Sequence, residues 1–119
     1  MARVAFIKHN GTEILFLDFS NCRPDDVFPI IDEAKKAICT RPENSVFTLT
    51  NVTNMRFDDR VSDQMKKFTI HNKPYVKAAA VVGVEGVKKI ILSAVMLFSK
   101  RKFHTFDDLE SAKNWLVTN

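Results

Sequence analysis

Few of the residues able to do chemistry stand at a spacing that chemistry would use. His9, His71 and His104 lie far apart in the chain. No pair has the i, i+4 spacing with which a helix presents two imidazoles to a metal ion. Cys22 and Cys39 are the only cysteines and form no Cys-x-x-Cys or Cys/His ligand pattern. A nucleophilic or redox thiol needs a cation or a helix N-terminus beside it, and Arg23 gives Cys22 that setting. The acidic pairs Asp25-Asp26 and Asp107-Asp108 read as helix-start residues that interact favourably with the helix dipole. The expectation is a non-enzymatic protein with no catalytic residue, no metal and no cofactor.

Two segments suit binding better than catalysis. Asn51, Thr53, Asn54 and Arg56 form a polar cluster without a group that titrates near neutrality. Gly83-Val84-Glu85-Gly86, followed by Lys88 and Lys89, is a turn from a strand into a helix. Such a turn can present backbone N–H groups to an anion. It lacks the Gly-Lys-Ser/Thr ending of a P-loop and the Gly-x-Gly-x-x-Gly of dinucleotide sites. Asn51, Thr53, Asn54, Arg56, Gly83 and Gly86 are therefore the candidate ligand-binding residues, because ligands of open α/β sheets sit beyond the carboxyl ends of the strands.

The 119 residues suffice for one domain, 1–119, with 45% apolar residues and only three glycines and four prolines. The net charge of +4 is unevenly placed. Between residues 66 and 102, nine lysines and arginines face Glu85 alone. A basic stripe can attract anionic lipid, nucleic acid or an acidic protein. Nucleic acid is set aside because few aromatics interleave with the lysines. Two unpaired cysteines and an N-terminus without a secretory pattern point to a reducing, cytoplasmic setting. No stretch approaches 18 consecutive apolar residues.

The elements that must position these groups follow one another closely. Residues 3–8 and 12–19 alternate as strands around Asn10-Gly11, a tight-hairpin signal. A helix spans about 25–40, with an irregular first turn or a later start expected from Pro24 and Pro29. A strand at 46–51, a helix at 58–72 and a strand at 76–82 follow. A helix at 87–99, a strand at 102–106 and a last helix begun by an Asp107/Glu110 capping box complete the chain. The β-β-α-β-α-β-α-β-α order implies a mostly parallel five-stranded sheet with an antiparallel edge hairpin. Thr48, Thr50 and Lys77 are expected on one face and Phe47 and Leu49 on the other, which suggests helices mainly on one side.

On a helical wheel the 87–99 segment places Val87, Ile90, Ile91, Ala94, Val95 and Phe98 on the core side. It leaves Leu92 and Met96 outside among Lys88 and Lys89. Ile70 falls similarly beside Lys66 and Lys67. Lys66, Lys67, Ile70, Lys88, Lys89, Leu92 and Met96 thus form an expected partner or membrane face. The same face could instead close a homodimer.

The pattern resembles the SpoIIAA-like, STAS-related family of small bacterial proteins over nearly the whole chain. The resemblance rests on Leu17-Asp18-Phe19-Ser20-Asn21-Cys22, on Leu49-Thr50-Asn51-Val52-Thr53-Asn54, and on His71-Asn72-Lys73-Pro74-Tyr75-Val76-Lys77. It rests also on Val81-Val82-Gly83-Val84-Glu85-Gly86-Val87-Lys88-Lys89 and on the ending Phe106-Asp107-Asp108-Leu109-Glu110-Ser111-Ala112-Lys113-Asn114-Trp115-Leu116. It implies a SpoIIAA-like, STAS-type α/β fold. Anti-sigma-factor antagonists of that fold carry a phosphorylatable serine at the start of the second helix, where this chain has Phe57-Asp58-Asp59-Arg60-Val61. The fold is also compared with lipid-transfer domains that hold an apolar ligand. The resulting expectation is a module that binds a protein partner or an apolar, lipid-like ligand, with peripheral contact to an anionic membrane. The alternatives are an anti-sigma-factor-antagonist-type regulator and a small enzyme using Cys22 or the 51–56 loop.

Overall fold

The computed structural model describes residues 2–118. The expected domain bounds of 1–119 include Met1 and Asn119, which lie outside the described residues. The elements are β1 (Val4–His9), β2 (Thr12–Asp18), α1 (Pro24–Ile38), β3 (Val46–Asn51), α2 (Asp59–Asn72), β4 (Val76–Val82), α3 (Val87–Ser99), β5 (His104–Phe106) and α4 (Leu109–Val117). The sheet order is β1-β2-β3-β4-β5, with β1 antiparallel to β2 and every later pairing parallel. Asn10 and Gly11 turn the hairpin at φ 51° and 80°. Positive φ at both central residues is what a two-residue turn between twisted strands requires.

Local chemistry starts each helix. Pro24 opens α1, where its missing N–H costs nothing, and the Arg23 N–H donates to Asp26 Oδ2 at 2.9 Å. Neither the irregular first turn nor the later start expected from the two prolines occurs: the helix runs from Pro24, and Pro29 lies inside it. Asp58 caps α2 by accepting from the Val61 N–H at 2.9 Å. Asp108, not Asp107, caps α4, accepting from the Ser111 N–H at 2.7 Å. The cap therefore stands one residue later than expected, with Ser111 rather than Glu110 three residues beyond it.

The sheet separates two cores. On one face Leu15, Leu17, Phe19 and Val81 pack under α1, α2 and α3; on the other Ile14, Leu49, Ala80 and Val82 pack against Ala112 and Leu116 of α4. Three of the four helices thus share a face, and α4 alone covers the other. Thr48 and Thr50 point into the three-helix side, where Thr48 is buried. Lys77 does not join them. The register between β3 and β4 shifts at Val46/Phe47, and Lys77 Nζ lies 5.6 Å from the ring centre of Phe47 on the α4 side. A bulge inserts one extra residue and moves the side chain beside it to the other face.

Candidate functional site

The largest correction concerns α3. Ile91 and Val95 face inward as expected, but the inner stripe, with Val95 and Ser99 buried and Lys88, Ile91 and Leu92 half-buried, lies about a quarter turn from the side expected. Two polar residues explain the rotation. Lys88 turns inward and its Nζ donates to the Val52 carbonyl at 2.8 Å, fixing the first turn. Ser99 can be buried because its hydroxyl donates to the Val95 carbonyl at 2.7 Å. A wheel that ranks positions by apolarity cannot see either bond.

The rotation has two consequences. Leu92 and Met96, expected outside, are half-buried; Leu92 faces the interior, and Met96 Sδ accepts from the Phe103 N–H at 3.5 Å. Val87, Ile90, Ala94, Leu97 and Phe98 lie in solvent instead, Ile90 at 71% and Leu97 at 81% exposure. Positions 87, 90, 94 and 97 repeat at intervals of three and four residues, so they form one straight apolar ridge about 15 Å long. Ile70 is exposed as expected. Lys67 and Lys89 are exposed, and Lys66 Nζ lies 5.6 Å from the ring centre of Phe98.

Beneath α3 is a cavity of about 80 Å³. Its floor is Leu17, Phe19, Thr48, Thr50, Val52 and Val81, from the sheet and the segments just after β2 and β3. Met65, Phe68, Thr69 and Asn72 of α2 form one wall, and Lys88, Ile91, Leu92 and Val95 of α3 the other. Phe57, Val84, Arg101 and Phe103 complete the lining. The threonines that interrupt the apolar strand pattern of β3 are therefore the polar part of the cavity floor. That interruption was visible in the sequence. Arg101 was not: it stands between two solvent lysines, and only the path of the chain after α3 turns it inward.

The polar loop at 51–56 is built differently from the binding cluster expected. Asn51 Oδ1 accepts from the Thr53 N–H at 3.1 Å and from the Thr53 hydroxyl at 2.7 Å. Asn54 Nδ2 donates to Asn21 Oδ1 at 3.2 Å, and both asparagines adopt positive φ. The Arg56 N–H donates to the Cys22 carbonyl at 2.9 Å. Gly83 packs on Thr53, and Gly86 begins α3 at φ 59°. The three loops at the carboxyl ends of the strands do converge, and these polar groups bind one another across the joint. Val52 and Met55, buried between them, anchor it to the core.

The chemistry-bearing residues are dispersed. Cys22 is buried, and burial pushes its thiol up, opposing the thiolate that Arg23 was expected to favour. Both cysteines are free. Cys39, exposed just beyond α1, lies with its Sγ 3.7 Å from His71 Nε2, and His71 Nδ1 is 2.9 Å from Asn72 Oδ1. Sequence spacing did not suggest this neighbourhood. His9 Nε2 is 2.8 Å from Asn114 Oδ1, and His104 stacks on Trp115 with ring centres 4.4 Å apart. Among the described residues no three His, Cys, Asp or Glu side chains gather as metal ligands, and no helix is long and apolar enough to cross a membrane. At the start of α2, Arg60 bridges Asp58 and Asp25 at 3.0 and 3.1 Å. No family model matches the chain, and no curated protein or solved structure is significantly similar to it.

Proposed function

We propose that this protein is a non-enzymatic binding module of the SpoIIAA-like, STAS-related type that takes an apolar ligand beneath α3. The observation that carries the reading is the cavity itself: eighteen residues line it, twelve of them apolar, between the sheet and two helices. Small-molecule sites are concave and mostly apolar, with a few polar groups that orient the ligand. The buried Cys22 and the self-bonded 51–56 loop weigh against the enzymatic alternative. The ion-paired start of α2, where the nearest serine is Ser62 among Asp58, Asp59 and Asp63, weighs against a phosphorylation-controlled antagonist. Two free thiols fit a reducing, cytoplasmic setting. Native mass spectrometry of the purified protein tests the reading; a mass equal to the bare chain both as isolated and after incubation with 1-hexanol would count against it.

A second observation favours a peripheral role on anionic membranes. The α3 ridge is apolar and exposed, and Lys66, Lys67, Lys89, Lys100 and Lys102 lie on α2, on α3 and just beyond it. A twofold dimer through α3 would bring these lysines together with little negative charge to offset them. An anionic bilayer accepts both the ridge and the lysines, each lysine contributing about 1 kcal/mol near the surface. Co-sedimentation with phosphatidylserine vesicles, reversed by salt, is the expected result. Equal sedimentation with neutral vesicles, or self-association in their absence, would favour another occupant.

A further inference from the structure

The charged side chains that line the cavity are Lys88 and Arg101, both cations. Among the described residues neither has a carboxylate within 4.0 Å. Arg3, Arg23, Arg41 and Arg60 each pair with an Asp or Glu, whereas Arg56, which is exposed to water, pairs with none among the described residues. Folding tends to pair the charges it takes from water, and an inward cation without a counter-ion is costly.

We propose that the cavity holds a small apolar carboxylate whose head group is paired by Arg101, an inference that rests on the apolar-ligand reading above. The guanidinium is held at the cavity lining by two contacts. One of its nitrogens donates to the Thr69 carbonyl at 3.2 Å, and its carbon lies 4.5 Å from the ring centre of Phe103. Those contacts fix the plane and leave further N–H donors for a two-point bond to a carboxylate. Burial lowers the Arg101 pKa to about 10, so the group remains a cation at neutral pH. Lys88 is the lesser partner, since its ammonium already serves the Val52 carbonyl. Thr48, Thr50 and the buried Asn72 add neutral polar groups to a lining that holds no acid.

The cavity also sets a size. One water-sized occupant needs about 10–15 Å³ in this measure. A volume of about 80 Å³ therefore takes roughly five to eight non-hydrogen atoms. Hexanoate fits that range, and a full-length fatty acid does not.

Titration calorimetry with hexanoate, 1-hexanol, hexylamine and laurate tests both parts on the full chain. The expected order is hexanoate over 1-hexanol by about tenfold or more, as hydrogen bonds to a charged group give. Hexylamine should be weakest, and laurate no tighter than hexanoate. Arg101→Gln should reduce the hexanoate preference to about threefold or less, and Lys88→Gln should change it less. Should Arg101→Gln fail to fold, the order of the four probes on the parent protein still decides the charge. Equal binding of hexanoate and 1-hexanol overturns the Arg101 assignment and leaves the apolar site standing. Loss of the preference in Lys88→Gln but not in Arg101→Gln overturns it also. Laurate binding more than about tenfold tighter than hexanoate overturns the size limit. Binding of none of the four removes the apolar-ligand reading together with this one.

Discussion

The backbone of Thr53 lies against Gly83 so closely that position 83 has no room for a side chain. A Cβ built there would stand 2.6 Å from the Thr53 nitrogen and 2.7 Å from its Cα. Gly83 also adopts φ +89°, a conformation L-residues avoid. This contact joins the loop after β3 to the exit of β4, next to the cavity.

Gly83→Ala should therefore destabilise the fold by about 2–4 kcal/mol, combining backbone strain with a clash that no rotamer relieves. Gly11→Ala is the comparison. Gly11 has φ +80°, but a Cβ there meets nothing within 4 Å. It should cost about 1 kcal/mol, the strain alone. Urea unfolding of both variants measures the difference; equal losses would show that the Thr53 contact yields without cost.

The two thiols should react at very different rates. Cys39 is exposed beside His71, whereas Cys22 is buried and its thiol is held protonated by that burial. With a disulfide reagent at neutral pH, one equivalent should react quickly and the second only with unfolding. His71→Ala should slow the fast phase if the imidazole assists the thiol. Fast reaction of both cysteines in the native protein would contradict the buried position of Cys22.

Much of the fold was legible because it rests on local signals. The Asn10-Gly11 turn, the alternation in β2 and the Val-Ala run of β4 each specify an element without help from the rest of the chain. The failures share a cause. The rotation of α3 depends on Lys88 reaching Val52 and on Ser99 bonding its own helix, and both place a polar residue on the inner side. The face of Lys77 depends on a bulge set by pairing with β3. Of the candidate ligand residues, Gly83, Thr53 and Asn51 do meet, but as a joint in which Asn51 bonds Thr53 and Gly83 packs against it. Lys88 and Leu92 reach the cavity from the helix, although neither was expected there. Arg101 had no local mark, since an arginine between two lysines reads as solvated surface.

Arg101 should lower stability for the sake of its site. The folded-state pKa of about 10 lies below the ordinary arginine value, so the folded protein disfavours the charge. The penalty is fully present below pH 10 and is relieved as pH rises above about 10 towards the ordinary arginine value, where the unfolded chain binds more protons. Arg101→Met should therefore raise the unfolding free energy at pH 7 by about 1 kcal/mol, after the lost bond to Thr69 is allowed for. The gain over the parent should shrink when both are measured near pH 10.5. A variant less stable than the parent at pH 7 would mean that the Thr69 and Phe103 contacts outweigh the cost of the charge.

The two sides of α3 should separate cleanly by mutation. Leu97 and Ile90 stand in solvent, so Leu97→Ser and Ile90→Ser should change stability by no more than about 0.5 kcal/mol. Leu92 faces the cavity and Val95 is buried, so Leu92→Ser and Val95→Ser should each cost about 2 kcal/mol or more. Binding should follow the opposite division. Anionic vesicles should lose most of their hold on the Ile90→Ser, Leu97→Ser double variant, because the ridge supplies the apolar contact while the lysines remain. Hexanoate binding in the same variant should match the parent, since neither residue lines the cavity. If the double variant sediments with phosphatidylserine vesicles as well as the parent does, the lysines alone hold the surface and the ridge has no part in it.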